Sequence, residues 1–373
     1  MKSEALKYFE GERYNQSYDL PHIAAFLDSL KANVKALYHY TAKGNAKYIV
    51  GDNAVITCKH TGLMDDVGEV REGTYILTEH IGSRYPDKAK AIKEELDKAW
   101  DEYEKFRQLS RANWQTYEDT GNRPLDMIMH VMPHIFCVTL QADAPYQWRN
   151  YTDKKDKSIG GYCFSFNADK LGSAIKRRND AELTKVDGNM SALQLMPCFY
   201  KEIDDMKIMR LADSLVQDIE RDLIVASTIE NMTRILGAIF TVAPLIKNRK
   251  FYREQEYRLI LVDPHSKVVD RKSLGLPSGN LSINLMSSIM LSPQGNKAEL
   301  RDHLLGMCSA AKDMLTDSRI HETVVEQYIT REGDVDLAYE ENVLAKVDKN
   351  EAASVISQEE FLASDSKETP SHA

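Results

Sequence analysis

Glu254-Gln255-Glu256-Tyr257-Arg258-Leu259-Ile260-Leu261-Val262 starts polar and ends as an unbroken apolar run. Its second half reads as a strand buried on both faces. In extended backbone, residues two apart share a face, so Glu254, Glu256 and Arg258 would line up at intervals of roughly 6.5–7 Å, with Tyr257 and Leu259 turned toward the core. Two carboxylates so placed can divide labour: one steadies positive charge developing at a sugar carbon, and the other orients or deprotonates an acceptor. The plainer reading is an exposed edge strand with a charge ladder, and spacing alone favours it.

Further toward the N-terminus, Leu37-Tyr38-His39-Tyr40-Thr41 is also rich in strand formers. Alternation puts His39 and Thr41 on one face and Tyr38 and Tyr40 on the other. A histidine at a strand end can donate to a sugar hydroxyl or phosphate, and a neighbouring tyrosine can stack on a flat ring. Taken alone, His39 is more simply a half-buried histidine satisfied by backbone. Pro21 opens a helix just before this strand, with Ile23, Phe26, Leu27, Leu30 and Val34 on one face.

Between the two motifs the sequence predicts strands at Ala54–Cys58, Thr74–Glu79, Ile135–Leu140, Gly161–Phe166 and Leu193–Tyr200. A long amphipathic helix over Ala89–Trp114 is striped by Ile92, Leu96, Ala99, Tyr103 and Phe106. A second helical block runs from Ile203 to Val242 and closes at Pro244. After the motif come a short strand at Ser288–Ser292 and a helix over Lys297–Leu315. From Arg331 the chain is acidic and of low apolar content, which predicts a loosely held tail in which Val355, Ile356, Phe361 and Leu362 are candidates for docking on a partner.

With 373 residues, 43% hydrophobic and 28% charged, the chain has the makings of a large core. A net charge of -9 leaves no overall basic field to hold nucleic acid. Basic runs occur at Lys154-Lys155-Asp156-Lys157, Lys176-Arg177-Arg178 and Lys247-Asn248-Arg249-Lys250, each more simply a solvated loop or helix end. Five scattered cysteines without a Cys-x-x-Cys pair read as reduced thiols. His130-x-x-x-His134 has Pro133 between its histidines and no accompanying glutamate, so no metal is expected. The N-terminus lacks the apolar core of a signal peptide, and Glu230, Asn231 and Arg234 break the most apolar stretch; the expectation is a cytoplasmic protein without a membrane span.

In order, Leu37–Thr41, Trp148-Arg149-Asn150-Tyr151 through Gly161–Phe166, Phe251–Leu259 and Ile289–Pro293 resemble an uncharacterised bacterial domain-of-unknown-function family, over about Ala36–Leu305. More distantly, the arrangement is similar to the ADP-ribosyltransferase superfamily. That resemblance implies an α+β fold with a mixed β-sheet core, long helical insertions and a C-terminal helix plus tail. The implied organisation is an N-terminal helical segment at 1–35 and a transferase-like domain at 36–316, with insertions near 89–114 and 203–243. An acidic extension, partly disordered, follows at 317–373.

The resemblance also implies NAD as co-substrate and a toxin or phage-defence role. The acceptor would be RNA, DNA or protein, and an inhibitory antitoxin protein a possible partner. Carried over, Glu256 would be catalytic and Glu254 would serve the acceptor. His39 would bind ribose or adenosine, with Tyr38, Thr41 and Arg258 around the dinucleotide, and Tyr162 or Tyr151 would stack on nicotinamide. The sequence departs from the superfamily by pairing a first-strand histidine with a Glu-x-Glu ending and by lacking a Ser-Thr-Ser strand. Two other readings remain open: an NAD glycohydrolase, and a non-catalytic sensor that keeps the fold.

Overall fold

The structure is a computed structural model, described here for residues 20–30, 34–51, 54–64, 67–109, 121–152, 159–183, 192–224, 229–262, 269–277 and 279–320. The basic run at Lys154 and the acidic segment beyond Ile320 lie outside the described residues.

The central sheet contains β1 (Ala36–Ala42), β2 (Thr57–His60), β3 (His134–Thr139), β4 (Gly161–Asn167), β5 (Ala192–Pro197), β8 (Glu256–Val262), β9 (Arg271–Ser273), β10 (Met286–Leu291) and β11 (Leu315–Asp317). A separate parallel pair joins β6 (Phe199–Tyr200) to β7 (Ile246–Lys247). The order β11-β10-β4-β1-β3 continues into β8 and β5, while β2 and β9 branch from the other end of β3. All neighbours are antiparallel except β10 and β11, so the fold is α+β with a mixed sheet.

Helices α1 (Pro21–Ser29), α2 (Val67–Gly82), α3 (Pro86–Leu109), α4 (Arg123–Val131), α7 (Asp205–Ile224) and α8 (Ile229–Val242) cover one face of the β3-β8-β5 part. Leu77, Trp100, Leu215 and Phe240 meet Ile135, Met196 and Ile260 there. On the opposite face α6 (Ala168–Leu183) and α9 (Lys297–Met307) bury Leu171 and Leu304 against Phe164, Leu259 and Ile289. Burial of this kind contributes roughly 1.5–3 kcal/mol per large apolar side chain.

Thr74–Glu79, expected as a strand, lies inside α2. Its β-branched and aromatic residues mimic strand composition, yet Val70, Leu77 and Ile81 recur at helical spacing and are buried. Gly73 permits the helix to press against the backbone of Ala243, where any Cβ would collide. The Thr74 and Thr78 hydroxyls are absorbed by the carbonyls of Arg71 and Thr74. Helix α6 was not expected from the sequence, and the predicted helix at 297–315 ends at Met307, giving way to a 3-10 turn and β11.

One irregularity positions the site. β1 pairs with β4 from end to end, but it meets β3 only at Tyr38 and Thr139. The same edge of β3 pairs with β2 only at Ile135 and His134. Between these points β1 has diverged, and the gap opens beside Phe136, Cys137 and Val138.

Candidate active site

A cavity of about 80 Å3 sits at that divergence, lined by Tyr38, His39, Tyr40, Cys137, Val138, Thr139, Gln147, Tyr151, Glu254 and Glu256. The early histidine and the late carboxylates, more than two hundred residues apart in sequence, therefore meet.

His39 fills the opened ladder. Its ring stacks on Phe136 at 4.4 Å, and Nδ1 lies 2.8 Å from the carbonyl oxygen of Cys137. A carbonyl only accepts, so Nδ1 carries the proton. Burial lowers the imidazole pKa, with the Cys137 bond opposing that shift, so the ring is neutral at pH 7 and Nε2 is left as an acceptor. The group expected to donate thus offers a lone pair to a hydroxyl instead.

The carboxylates are brought together by a turn, not by an extended strand. Asn248 caps a 3-10 turn over Arg249–Glu254, and Gln255 then adopts the left-handed conformation at φ 39°, ψ 50°. Only at Glu256 does β8 begin, so Glu256 and Arg258 share a face as expected while Glu254 reaches the cavity from the turn. Lys247, on β7, closes the group: its Nζ donates to Glu254 Oε2 at 2.6 Å and to Glu256 Oε2. Arg258 Nε donates to Glu256 Oε1 at 2.8 Å, and its Nη1 to the carbonyl of Pro244. Tyr151 OH donates to Glu254 Oε1 at 2.7 Å. Gln147 Nε2 and Thr139 Oγ1 both donate to the Glu254 carbonyl, and the Glu256 amide donates to Tyr200 OH at 2.8 Å.

These contacts give the two acids different characters. Burial works against the Glu256 charge, but the Arg258 guanidinium and Lys247 ammonium outweigh it and hold the carboxyl well below the usual carboxylate range. Burial pushes Glu254 above its ordinary value; Lys247 opposes that and the Glu256 charge adds to it. One acid is a fixed anion, and the other is nearer to exchanging a proton at neutral pH.

The remaining expected residues divide. Tyr38 and Tyr151 line the cavity. Arg258 is buried behind Glu256 and positions it, so it is not a dinucleotide contact. Thr41 is buried beside Gly161, outside the cavity wall. Tyr162 is corrected: it is fully buried on the opposite face, stacked on His303 with its hydroxyl against the Leu300 carbonyl at 2.8 Å. In an alternating strand the neighbours of a residue on one face belong to the other, and Tyr162 falls on the α9 side. Of the two tyrosines expected to stack on nicotinamide, the one at the cavity is Tyr151, carried on α5 (Pro145–Tyr151), a helix that the sequence reading did not predict.

Sequence reasoning missed Lys247, Gln147 and Cys137. Lys247 was read as part of a solvated basic run, although the apolar Val242–Ile246 before it was a signal for burial. Neither Arg177 nor Lys250 lines the cavity. Among the described residues no group of three or more His, Cys, Asp or Glu is placed to hold a metal ion, and no helix is long and apolar enough to cross a membrane.

No curated protein and no solved structure matches the chain. Residues 147–259, from Gln147 at the cavity to Leu259 on β8, match the model of an uncharacterised family, described as a protein of unknown function, DUF2971. That span holds Tyr151, Lys247, Glu254, Glu256 and Arg258 but stops short of His39; of the stretch 36–305 over which the resemblance to an uncharacterised family was read, the match to DUF2971 covers residues 147–259.

Proposed function

We propose that this protein is an NAD-dependent ADP-ribosyltransferase with an ADP-ribosyltransferase-like sheet, and that the cavity between β1 and β3 is where the nicotinamide–ribose bond is cleaved. The observation that carries the reading is the pair of carboxylates with opposed pKa shifts in one cavity with a neutral histidine and an aromatic ring. At about 80 Å3 the cavity admits a ring-sized group, so the nicotinamide riboside end would enter and the rest of the dinucleotide would lie across the mouth.

Breaking that bond leaves an oxocarbenium-like sugar and sends the bonding pair away with nicotinamide. Little covalent help is needed; a fixed anion near the sugar supplies most of the stabilisation. Glu256 is that anion, kept charged by Arg258 and Lys247. His39 Nε2 accepts from a ribose hydroxyl, and Tyr151 stacks on the leaving ring. The acceptor's nucleophile forms the new bond to the sugar carbon and gives its proton to Glu254. A nucleic-acid or protein acceptor, and a cytoplasmic toxin or defence role held in check by an antitoxin, belong to the same proposal.

Incubating the full chain with radiolabelled NAD and cell lysate tests it, with Glu256→Gln in parallel. Label in macromolecules that disappears in the variant supports transfer. Free ADP-ribose alone would make the protein a glycohydrolase, and silence in both products a sensor; equal labelling by the variant removes Glu256 from the chemistry.

A further inference from the structure

Like charges face each other across β2 and β9. The register sets Lys59 directly opposite Arg271, and Cys58 opposite Lys272. The His60 amide donates to the Asp270 carbonyl and the Leu274 amide to that of Ile56, so Lys59 and Arg271 form an intervening pair without ladder hydrogen bonds. Cα atoms in such a pair stand about 4.5 Å apart, which brings the two side chains close together. Like charges so opposed cost a sheet stability. Asp270 Oδ2 stands 3.7 Å from Arg271 Nε, too long for a well-formed ionic hydrogen bond, and the Arg271 side chain is 58% exposed.

Two more cations adjoin this pair from the other face of the sheet. Burial pushes the Cys58 thiol up to about 12, and the Lys272 and Arg178 charges oppose that rise. Arg178, on α6, packs across Gly275, two residues beyond β9, where a Cβ would sit 3.3 Å from its side chain. Edge strands carry charge to discourage pairing with another chain, and that accounts for Lys272. It does not account for Lys59, because β2 is paired on both sides, with β3 and with β9.

We propose that this basic edge, made of Lys59, Arg178, Arg271 and Lys272, binds the phosphate backbone of a nucleic acid, RNA or DNA. A phosphate between Lys59 and Arg271 turns their repulsion into a shared attraction, and a guanidinium fork matches phosphate oxygens. Lys59 pairs with Ile135, which lies four residues along β3 from Thr139, the partner of Glu256, a separation of about 14 Å. By alternation Ile135, Cys137 and Thr139 share a face, so a strand held at Lys59 runs toward the cavity as the acceptor. That role rests on the transferase reading; the binding itself does not.

Fluorescein-labelled oligouridylate and oligothymidylate are titrated with the full chain over a range of salt and followed by anisotropy. Lys59→Gln/Arg271→Gln is compared with Lys98→Gln/Lys105→Gln, which removes the same charge from α3. The first variant is expected to bind roughly tenfold more weakly, with the slope of log K against log salt shallower by about 1.4, or about 0.7 for each single-strand phosphate contact. The second is expected to bind like the parent. The melting temperature of the first should not fall, because opposed charges are relieved, so its weaker binding is not a loss of fold. Tighter binding of one oligonucleotide names that nucleic acid as the ligand. No binding by the parent, equal binding by all three proteins, or equal loss in both variants overturns the proposal. Displacement of the oligonucleotide by polyglutamate at equal charge overturns it in favour of an acidic protein partner. If the oligonucleotides respond as expected while NAD is not cleaved, the basic edge stands and the transferase reading fails; NAD-dependent labelling without that response does the reverse.

Discussion

His39 Nδ1 donates to the carbonyl of Cys137 at 2.8 Å, across the gap where β1 has parted from β3. A side chain thus takes the place of a ladder hydrogen bond, and in doing so fixes which imidazole nitrogen faces a ligand. The expected outcome is a neutral Nδ1–H ring whose titration midpoint lies below the ordinary histidine value, because burial lowers it. Nitrogen-15 chemical shifts of the ring across pH 5–8, a range spanning the ordinary value of about 6.5, would show it; an Nε2–H tautomer would contradict the assignment.

The opposed acids predict different kinetics. Glu256→Gln should lower turnover by about 10²-fold or more while leaving NAD affinity much closer to the parent, since the anion acts mainly in the transition state. Glu254→Gln should instead remove the acidic limb of the pH–rate profile. That limb belongs to Glu254, whose pKa is raised, so activity should climb with pH as this carboxyl deprotonates. An acidic limb that survives in Glu254→Gln would reassign the proton acceptor.

Two tyrosines separate cavity from core. Tyr151→Phe removes the donor to Glu254 Oε1, a bond that favours the charged acid, so the acidic limb should move to higher pH. Tyr162→Phe should leave that profile unchanged and cost about 1 kcal/mol of stability through its lost hydroxyl contact. Measured together, equal effects on the profile would contradict the placement of Tyr162 on the far face.

Lys247 neutralises two buried acids at once. Lys247→Met should destabilise the fold by about 3–5 kcal/mol, the scale for stripping one partner from a buried ion pair. Adding Glu254→Gln should recover part of that loss, because one of the orphaned charges is then gone. Urea denaturation of the single and double variants is the measurement, and strict additivity would mean that the three groups do not act as a unit.

Acid should weaken the protein before its carboxylates are reached. His60 is buried; its Nδ1 accepts from Gly62 N, and its Nε2 lies 3.0 Å from the Met129 carbonyl, leaving no place for a second proton. Burial, with His134 and His130 nearby, depresses its pKa well below the ordinary value. The unfolded chain binds that proton first, so stability falls as pH drops below about 6.5. Glu256 acts in the same direction further down: its depressed pKa contributes stability that is lost as pH falls below the ordinary glutamate value of about 4.3. Melting temperatures of the parent and His60→Gln between pH 7 and 5 should converge on the acid side if His60 is responsible.

The sequence by itself determined the mixed α+β class, strands β1, β3, β4 and β8, and the long helices of 86–109, 205–224 and 229–242, and it singled out His39, Glu254 and Glu256, which line one cavity. Those features are local: alternation, helical periodicity and the spacing of charges are written in neighbouring residues. Tertiary structure alone decided that Thr74–Glu79 is helix, because the packing of Gly73 on Ala243 overrides β-branched composition. It also chose Tyr151 over Tyr162 as the cavity ring and made a surface-looking lysine the hub of two carboxylates. Which face of a strand looks into a cavity depends on where the neighbouring strand parts from it, and no run of nearby residues records that divergence.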